Sequence, residues 1–387
     1  MIYRGRVFDG TDIHENAEIS IDQVSGTIEY LDDLRGSGGK RSSKDVTFLP
    51  GLIDTHIHFF GSPNRSISEW TLTPDIIIAV RSVYGARNLL QAGFTTVRTM
   101  GDKVSIGLSK AESDGILDGP RIISSGFSIA QTGGNDDPKF LPYNDSTKMS
   151  YSYYCDGPWD CRKAVRLNVR NGAESIKAYS SSSFVGGGDI RDELTVEELS
   201  AIADEAHKSH LRAASHAYGV SAIHNSLVSG FDSIEHGLGL NEEIGEEMVK
   251  NKAFYVPTIS IYKSLRKDSN ETRNAMIRNH IEKEVKLAND LGIRIAMGTD
   301  FLGTSDTPHG SNWLEINNLS EVIGNENAIM ASTSIAAECL GLEGVGKINE
   351  GFRGDVIAVK GDPLKDVKRL NPENIVLVIK KGKKVKG

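Results

Sequence analysis

Cysteine is scarce in this chain of 387 residues: Cys155, Cys161 and Cys339 cannot all pair within one chain, and their spacing matches no zinc-ribbon pattern. A disulfide scaffold is thereby excluded. Cys155 and Cys161 stand close together in the turn-rich YYCDGPWDC stretch, which permits a local disulfide, although structural thiols are the simpler expectation. Long apolar runs are lacking too. Stretches such as Ile76 to Val80 fall far short of the ~20 residues a bilayer span requires, and the opening MIYRGRVFDG has no apolar core of signal-peptide length. No membrane association and a cytoplasmic location are expected. Basic charge is also in short supply. Against 52 Asp and Glu there are 44 Lys and Arg, and no basic cluster exceeds the run from Lys380 to Lys386, which argues against nucleic acid as a partner. With 39% hydrophobic and 25% charged residues, a disordered or collagen-like chain is excluded and a globular protein of enzymatic size is expected.

Helical periodicity is absent from the first ~50 residues, where MIYRGRVFDG, HENAEISID, TIEYLDD and VTFLPG read as short strands and GSGGKRSSK as an exposed turn. The C-terminal segments DVIAVKGDP and NIVLVIKKGKKV have the same character. One small sheet domain built from both ends, residues 1–50 and 350–387, is expected. Between them, eight apolar runs alternate with helical patterns: GLIDTHIHF, GFTTVRTMG, PRIISSGFSI, ESIKAYSSS, LRAASHAYG, FDSIEHGLG, AFYVPTIS and IRIAMGTDF. Continuous apolar runs are what buried parallel strands look like, and the span from His56 to Asp300 suits a complete (β/α)₈ barrel over residues 51–349. A doubly wound open sheet is the alternative, but no GxGxxG follows the first strand. Thr195 and Glu198 form a capping-box signature before one of the helical patterns.

Five of these eight runs finish in a potential metal ligand. His56 and His58 lie two apart in a strand, on one face, where both can reach one ion. Lys177, His216, His236 and Asp300 close four later runs. In a barrel all strand C-termini open onto one face, so these side chains can converge. Neutral imidazoles and a carboxylate suit zinc and other first-row divalent ions. An ammonium beside a cation would be repelled, but a carbamate formed from Lys177 and CO₂ is an anion able to bridge two metals.

The motifs PGLIDTHIH, TTVRTMG, the Lys177 strand, SHAYG, SIEHG, GTDF and GKINEGFRGDVIAV together resemble the amidohydrolase superfamily over nearly the whole chain. SGFSIAQTGGN, CDGP and HAYG narrow the resemblance to the imidazolonepropionase-related branch, which includes binuclear Xaa-Pro dipeptidases and metallo-carboxypeptidases. The resemblance implies a (β/α)₈ barrel beside a β-sandwich made from both termini. It implies two divalent metal ions, of zinc type, one on His56, His58 and Asp300 and one on His216 and His236, bridged by carboxylated Lys177. Asp300 is the implied general base, and Tyr218, two residues beyond His216, the donor to the developing oxyanion. The branch has His after TGG where this chain has Asn135, which can still donate to a substrate carbonyl but carries no charge. Arg98, at the end of the second run, suits a substrate carboxylate or else a barrel acid, and His309 in TPHGSN suits a substrate contact. The loop from Ser180 to Gly188 reads as a solvated loop or a lid. His14, His207, His210, His224 and His280 read as surface or packing residues.

The expected function is hydrolysis of an amide C–N bond in a small-molecule substrate, of Xaa-Pro dipeptide or N-acyl amino acid type. Hydrolysis of a cyclic amide or lactone is the enzymatic alternative, and a catalytically silent scaffold the alternative of another class. Imidazolonepropionase itself fits less well, because single-metal members of the branch lack the bridging lysine. A homo-oligomer is left open.

Overall fold

The computed structural model describes residues 1–34, 46–184, 190–265 and 270–387. The stretch from Gly36 to Lys44, expected as a turn, and the Val185 to Gly188 part of the expected lid lie outside the described residues. The N-terminal end forms β1 (Ile2–Phe8), β2 (Ile13–Ile21), β3 (Ile28–Asp33) and β4 (Val46–Pro50). Ten strands follow: β5 (Leu52–Ile57), β6 (Phe94–Thr99), β7 (Arg121–Ser124), β8 (Ser128–Ala130), β9 (Ser152–Tyr154), β10 (Ser175–Tyr179), β11 (Arg212–Tyr218), β12 (Ser233–Leu238), β13 (Phe254–Val256) and β14 (Arg294–Ile295). The chain ends in β15 (Val356–Lys360), β16 (Ile375–Lys380) and β17 (Lys383–Lys386).

Strands from the two ends meet in one seven-stranded sheet, ordered β17-β16-β15-β4-β1-β2-β3. Its C-terminal strands read as unbroken apolar runs because both faces are covered. In β15, Val356 and Ala358 pack with Val7, Ile19 and Ile28, whereas Ile357 and Val359 turn the other way, into the large core that contains Leu89, Phe94 and Ile122.

The middle strands pair in parallel throughout, as β5-β6-β7 and as β14-β13-β12-β11-β10-β8-β9. Backbone bonds continue between these two sheets at both joins. Glu174 N–H donates to Ser124 O at 2.7 Å on one side. On the other, Thr55 N–H donates to Met297 O, His58 N–H to Phe301 O, and Asp300 N–H to His56 O at 2.7 Å. The expected third run is divided into β7 and β8 at Gly126, whose φ is +65°. β9, in the segment read as turn-rich, adds a strand that no run announced. The Thr195–Glu198 capping box forms at the start of the Val196–Lys208 helix.

Asp54 secures the second join. Its carboxylate accepts from His56 N, Thr299 N and Oγ1, and Asn312 Nδ2, so one buried side chain grips the first strand, the segment after β14 and the start of the Trp313–Ile323 helix. That helix also supplies Glu315, which accepts from Ile259 N and Ser260 N at 2.8 and 2.6 Å and thereby satisfies the open N-terminal amides of the Ile259–Ser264 helix.

Cys155 and Cys161 are joined in a disulfide between the end of β9 and the first turn of the Pro158–Asn171 helix, and both are buried. The expectation of structural thiols is thereby corrected for this pair and holds for Cys339, which is free and buried. Such a bond is unusual in a reducing compartment, so it gives no support to a cytoplasmic reading. Among the described residues no helix is long and apolar enough to cross a membrane.

Burial raises the Glu315 carboxyl from 4.5 to about 7. The folded state therefore holds this proton more tightly than the unfolded chain. The stabilisation is fully present below the unfolded value and lost as pH rises through the folded one. Glu315→Gln, which keeps an acceptor without the charge, should gain in melting temperature relative to the parent between about pH 5 and about pH 8. A difference that stays constant across that range, measured by circular dichroism, would refute the assignment.

Candidate active site

The C-terminal ends of β5, β10, β11 and β12 and the segment after β14 surround one cleft. His56, His58, Lys177, His216, Tyr218, His236, Asp300 and Asn135 all line it. Lys177, His216 and His236 come from successive parallel strands whose register sets Tyr179 beside His216 and Ala217 beside His236. His56 Nε2 and His58 Nε2 lie 3.4 and 3.2 Å from Asp300 Oδ1, and one ligand atom from each of the three residues falls within 4.8 Å of the others. The His236 ring joins the groups: its centroid is 5.0 Å from that of His56 and 4.7 Å from that of His216.

Each imidazole is fixed by a bond on its other nitrogen, the arrangement that orients metal-binding histidines. His56 Nδ1 meets Glu235 Oε2 at 2.7 Å, His58 Nδ1 meets Gly101 O at 2.9 Å, and His236 Nδ1 meets Thr258 Oγ1 at 2.8 Å. These bonds leave Nε2 of all three for the cleft. His216 is held the opposite way, with Nε2 3.4 Å from Ser182 O, which leaves Nδ1. Burial pushes the His216 and His236 imidazoles well below their ordinary value, so both are neutral, the form that ligates. Burial by itself would raise the Asp300 carboxyl, but hydrogen bonds from His56 and His58, with the charge interaction of His56, hold it well below the usual range.

Three residues of this neighbourhood, His236, Thr258 and Asp300, have φ of +67°, +52° and +55°, in the left-handed region that residues other than glycine seldom occupy. Such backbone persists only where surroundings enforce it, and it concentrates at functional sites.

Lys177 is 1% exposed, and among the described residues its ammonium makes no hydrogen bond; its Nζ lies 5.3 Å from the centroid of the Tyr179 ring. Burial pushes it down to about 8. A buried ammonium without an acceptor is unfavourable, whereas an anion derived from it would face neutral imidazoles and any cation they hold. The His56, His58 and Asp300 donor set therefore fits a divalent ion, and the neutral His216 and His236 imidazoles and Lys177 line the same cleft.

Two expected substrate contacts are corrected. Arg98, 1% exposed, is turned into the interior, where it donates to Thr55 O at 2.6 Å and to Glu235 Oε1 at 2.8 Å. It is the partner of the buried acid Glu235 and does not line the cleft. Burial opposes the Glu235 charge, but the Arg98 guanidinium and the His56 hydrogen bond outweigh it and hold the carboxyl at about 2. His309, 6% exposed, has its Nε2 3.0 Å from His58 O and its ring edge-on to Phe59, so it packs behind His58. Asn135 does line the cleft, but Asp136 takes one of its amide protons at 3.2 Å and Ser183 N and Oγ donate to its Oδ1.

The sequence reading missed Glu235, Tyr262, Asp136 and Arg65. Tyr262 Oη donates to Tyr218 Oη at 2.8 Å, leaving the Tyr218 proton for the cleft. Asp136 is buried on Ser128 and Ser152. An acid inside an apolar strand, as in SIEHG, was the available signal for Glu235; Arg65 lies outside any motif. The facing wall is aromatic: Phe60 stacks on Trp70 at 4.3 Å and on His58 at 4.8 Å, with Tyr151 alongside.

Residues 47–385 match the profile of the Amidohydrolase family. Over 423 aligned residues the chain is 30% identical to ochratoxinase of Aspergillus niger, spanning 100% of this chain and 86% of that protein. The crystal structure of A. niger ochratoxinase superposes with a TM-score of 0.91 at 28% identity, covering 100% of this chain and 95% of that one. A Xaa-Pro dipeptidase with bound methionine in its active site superposes with a TM-score of 0.83 at 30% identity, covering 100% and 99%.

The Arg98–Glu235–His56 relay generates a test. Glu235→Gln should weaken metal retention by roughly 10- to 100-fold, because the amide no longer fixes the His56 tautomer as a carboxylate does. Competition with a chelator, followed by elemental analysis, reads this out. Unchanged retention would show that His56 needs no such support.

Proposed function

The chain belongs to the amidohydrolase family and is a hydrolase of carbon–nitrogen amide bonds; from that premise we propose a binuclear metal enzyme of the Xaa-Pro dipeptidase or N-acyl amino acid carboxypeptidase type. One observation carries the reading: six potential ligands from four strands and the segment after β14 line a single cleft, with Asp300 Oδ1 shared between His56 and His58. A silent scaffold is disfavoured, since every one of the six positions is retained. We also take the continuous circuit of parallel strands as a (β/α)₈ barrel over 51–349, and the terminal sheet as a sandwich-like domain of 1–50 and 350–387.

His56, His58 and Asp300 would hold one ion, His216 and His236 the other, and Lys177, as a carbamate, both; zinc suits these donors. When bound, such ions lower the pKa of water and polarise the amide carbonyl. Asp300 is the base of this reading. Its Oδ1 faces the two imidazoles, which leaves Oδ2 to take a proton from the attacking water and return it to the leaving amine nitrogen. Tyr218, whose oxygen already accepts from Tyr262, donates its proton to the carbonyl oxygen as negative charge develops there. The Phe60–Trp70 wall gives flat apolar groups of the substrate a surface to lie against.

Three outcomes are expected. Elemental analysis of protein purified without chelator should give about two divalent ions per chain, the ratio set by Lys177 serving both sites; a ratio near one counts against the binuclear reading. Asp300→Asn should keep most of the metal and lower kcat by about 100-fold or more on a panel of dipeptides and N-acyl amino acids, because the amide cannot take a proton; retained kcat would place the base elsewhere. Tyr218→Phe should lower kcat by roughly 100-fold with little change in KM, and Tyr262→Phe by a smaller factor; a larger loss from Tyr262→Phe would reverse their roles.

A further inference from the structure

Arg65 lies in the segment that follows β5, lines the cleft, and is shielded from solvent over much of its length. A guanidinium presents five N–H donors. Among the described residues Arg65 uses one of them, in a long bond from Nη2 to Ser264 Oγ at 3.3 Å, and forms no ion pair. The charged groups that act on it are Asp300, Asp306 and Arg273, together with the Tyr218 phenol. Asp300 is committed to His56 and His58, Asp306 is exposed, and Arg273 is of like sign and stands over the Phe184 ring. A half-buried cation with unused donors, lining the same cleft as Asp300 and Tyr218, is a place prepared for an anion. Its planar fork matches a carboxylate in two parallel hydrogen bonds.

The remainder of the cleft agrees. Asn135 cannot neutralise an anion, and Arg98 is spent on Glu235. Arg65 stands within the field of both Asp300, which returns the proton to the leaving nitrogen, and Tyr218. Of the two, Asp300 acts on it more strongly, which assigns the group Arg65 receives to the leaving half of the substrate.

We propose that Arg65 receives the free carboxylate of the amino acid released on cleavage, so that the substrates are N-acyl amino acids or dipeptides with an unblocked C-terminus. This rests on the amide-hydrolase reading above. It goes further in assigning a residue and a charge requirement.

The test uses metal-replete, full-length protein and a pair of ligands in which a sulfonamide replaces the scissile amide: N-phenylsulfonyl-L-phenylalanine and its primary carboxamide. Calorimetry should show the acid bound about ten-fold or more tighter than the carboxamide, the size expected of a charge-assisted pair. Arg65→Gln should bring that ratio close to one by weakening the acid alone, and Arg65→Lys should keep part of it. Thermal melting confirms that the variants fold. A ratio unchanged in Arg65→Gln, a parent with no preference, or no binding of either ligand overturns the proposal. So does a ratio lost in Arg273→Gln but kept in Arg65→Gln. Failure of the hydrolase reading would appear separately, as absent turnover of N-benzoyl-L-phenylalanine by parent protein that still discriminates the sulfonyl pair.

Discussion

A buried carboxylate, Asp54, is the interaction on which the cleft depends. It binds donors on the first middle strand, on the segment after the last, and on the helix beyond. Asp300 can stand beside His56 and His58 only because these stretches, far apart in sequence, are held in contact. Burial lifts the Asp54 carboxyl to about 6, so the clasp works against desolvation, and four hydrogen bonds offset that burden. Removing any one donor would leave part of a buried carboxylate unpaired.

Behind the imidazoles runs a second polar layer, in which Arg98 neutralises Glu235, Glu235 orients His56, Thr258 orients His236, and the Gly101 and His58 carbonyls engage His58 and His309. The cleft thus concentrates ionisable groups that a core would normally reject. They are tolerated because each is either paired, as Glu235 is, or driven neutral by burial, as His216 and His236 are. Lys177 fits neither description in its unmodified form.

Much of this was legible in the sequence, and the physical reason is periodicity. In runs such as SIKAYS, SHAYG and SIEHG ionisable residues interrupt an otherwise uncharged strand, and they mark both the strand and the face it opens on. The terminal strands were equally plain, because β-rich segments at both ends had no helical pattern to compete with. Where the chain departs from even periodicity the reading failed. PRIISSGFSI breaks at Gly126, AFYVPTIS turns into the Ile259–Ser264 helix that presents Tyr262, and IRIAMGTDF keeps only Arg294–Ile295 in the ladder. Substrate contacts were the least legible. Arg98 and Arg65 are alike in composition terms, and only the fold decides that the first faces an interior acid and the second the open cleft.

The sheet shared by both ends of the chain has a consequence for synthesis on the ribosome. Thr47 in β4 finds the Gly361 carbonyl 314 positions later, and β4 lies between β1 and β15. At roughly 5–20 residues per second, β4 would wait roughly 15–60 s after its own translation for that neighbour to be made. During this interval Phe48 and Leu49 lack their cover, and β4 exposes a row of unpaired backbone groups to any other nascent chain. The middle of the protein can assemble as it emerges, but its first fifty residues are finished last.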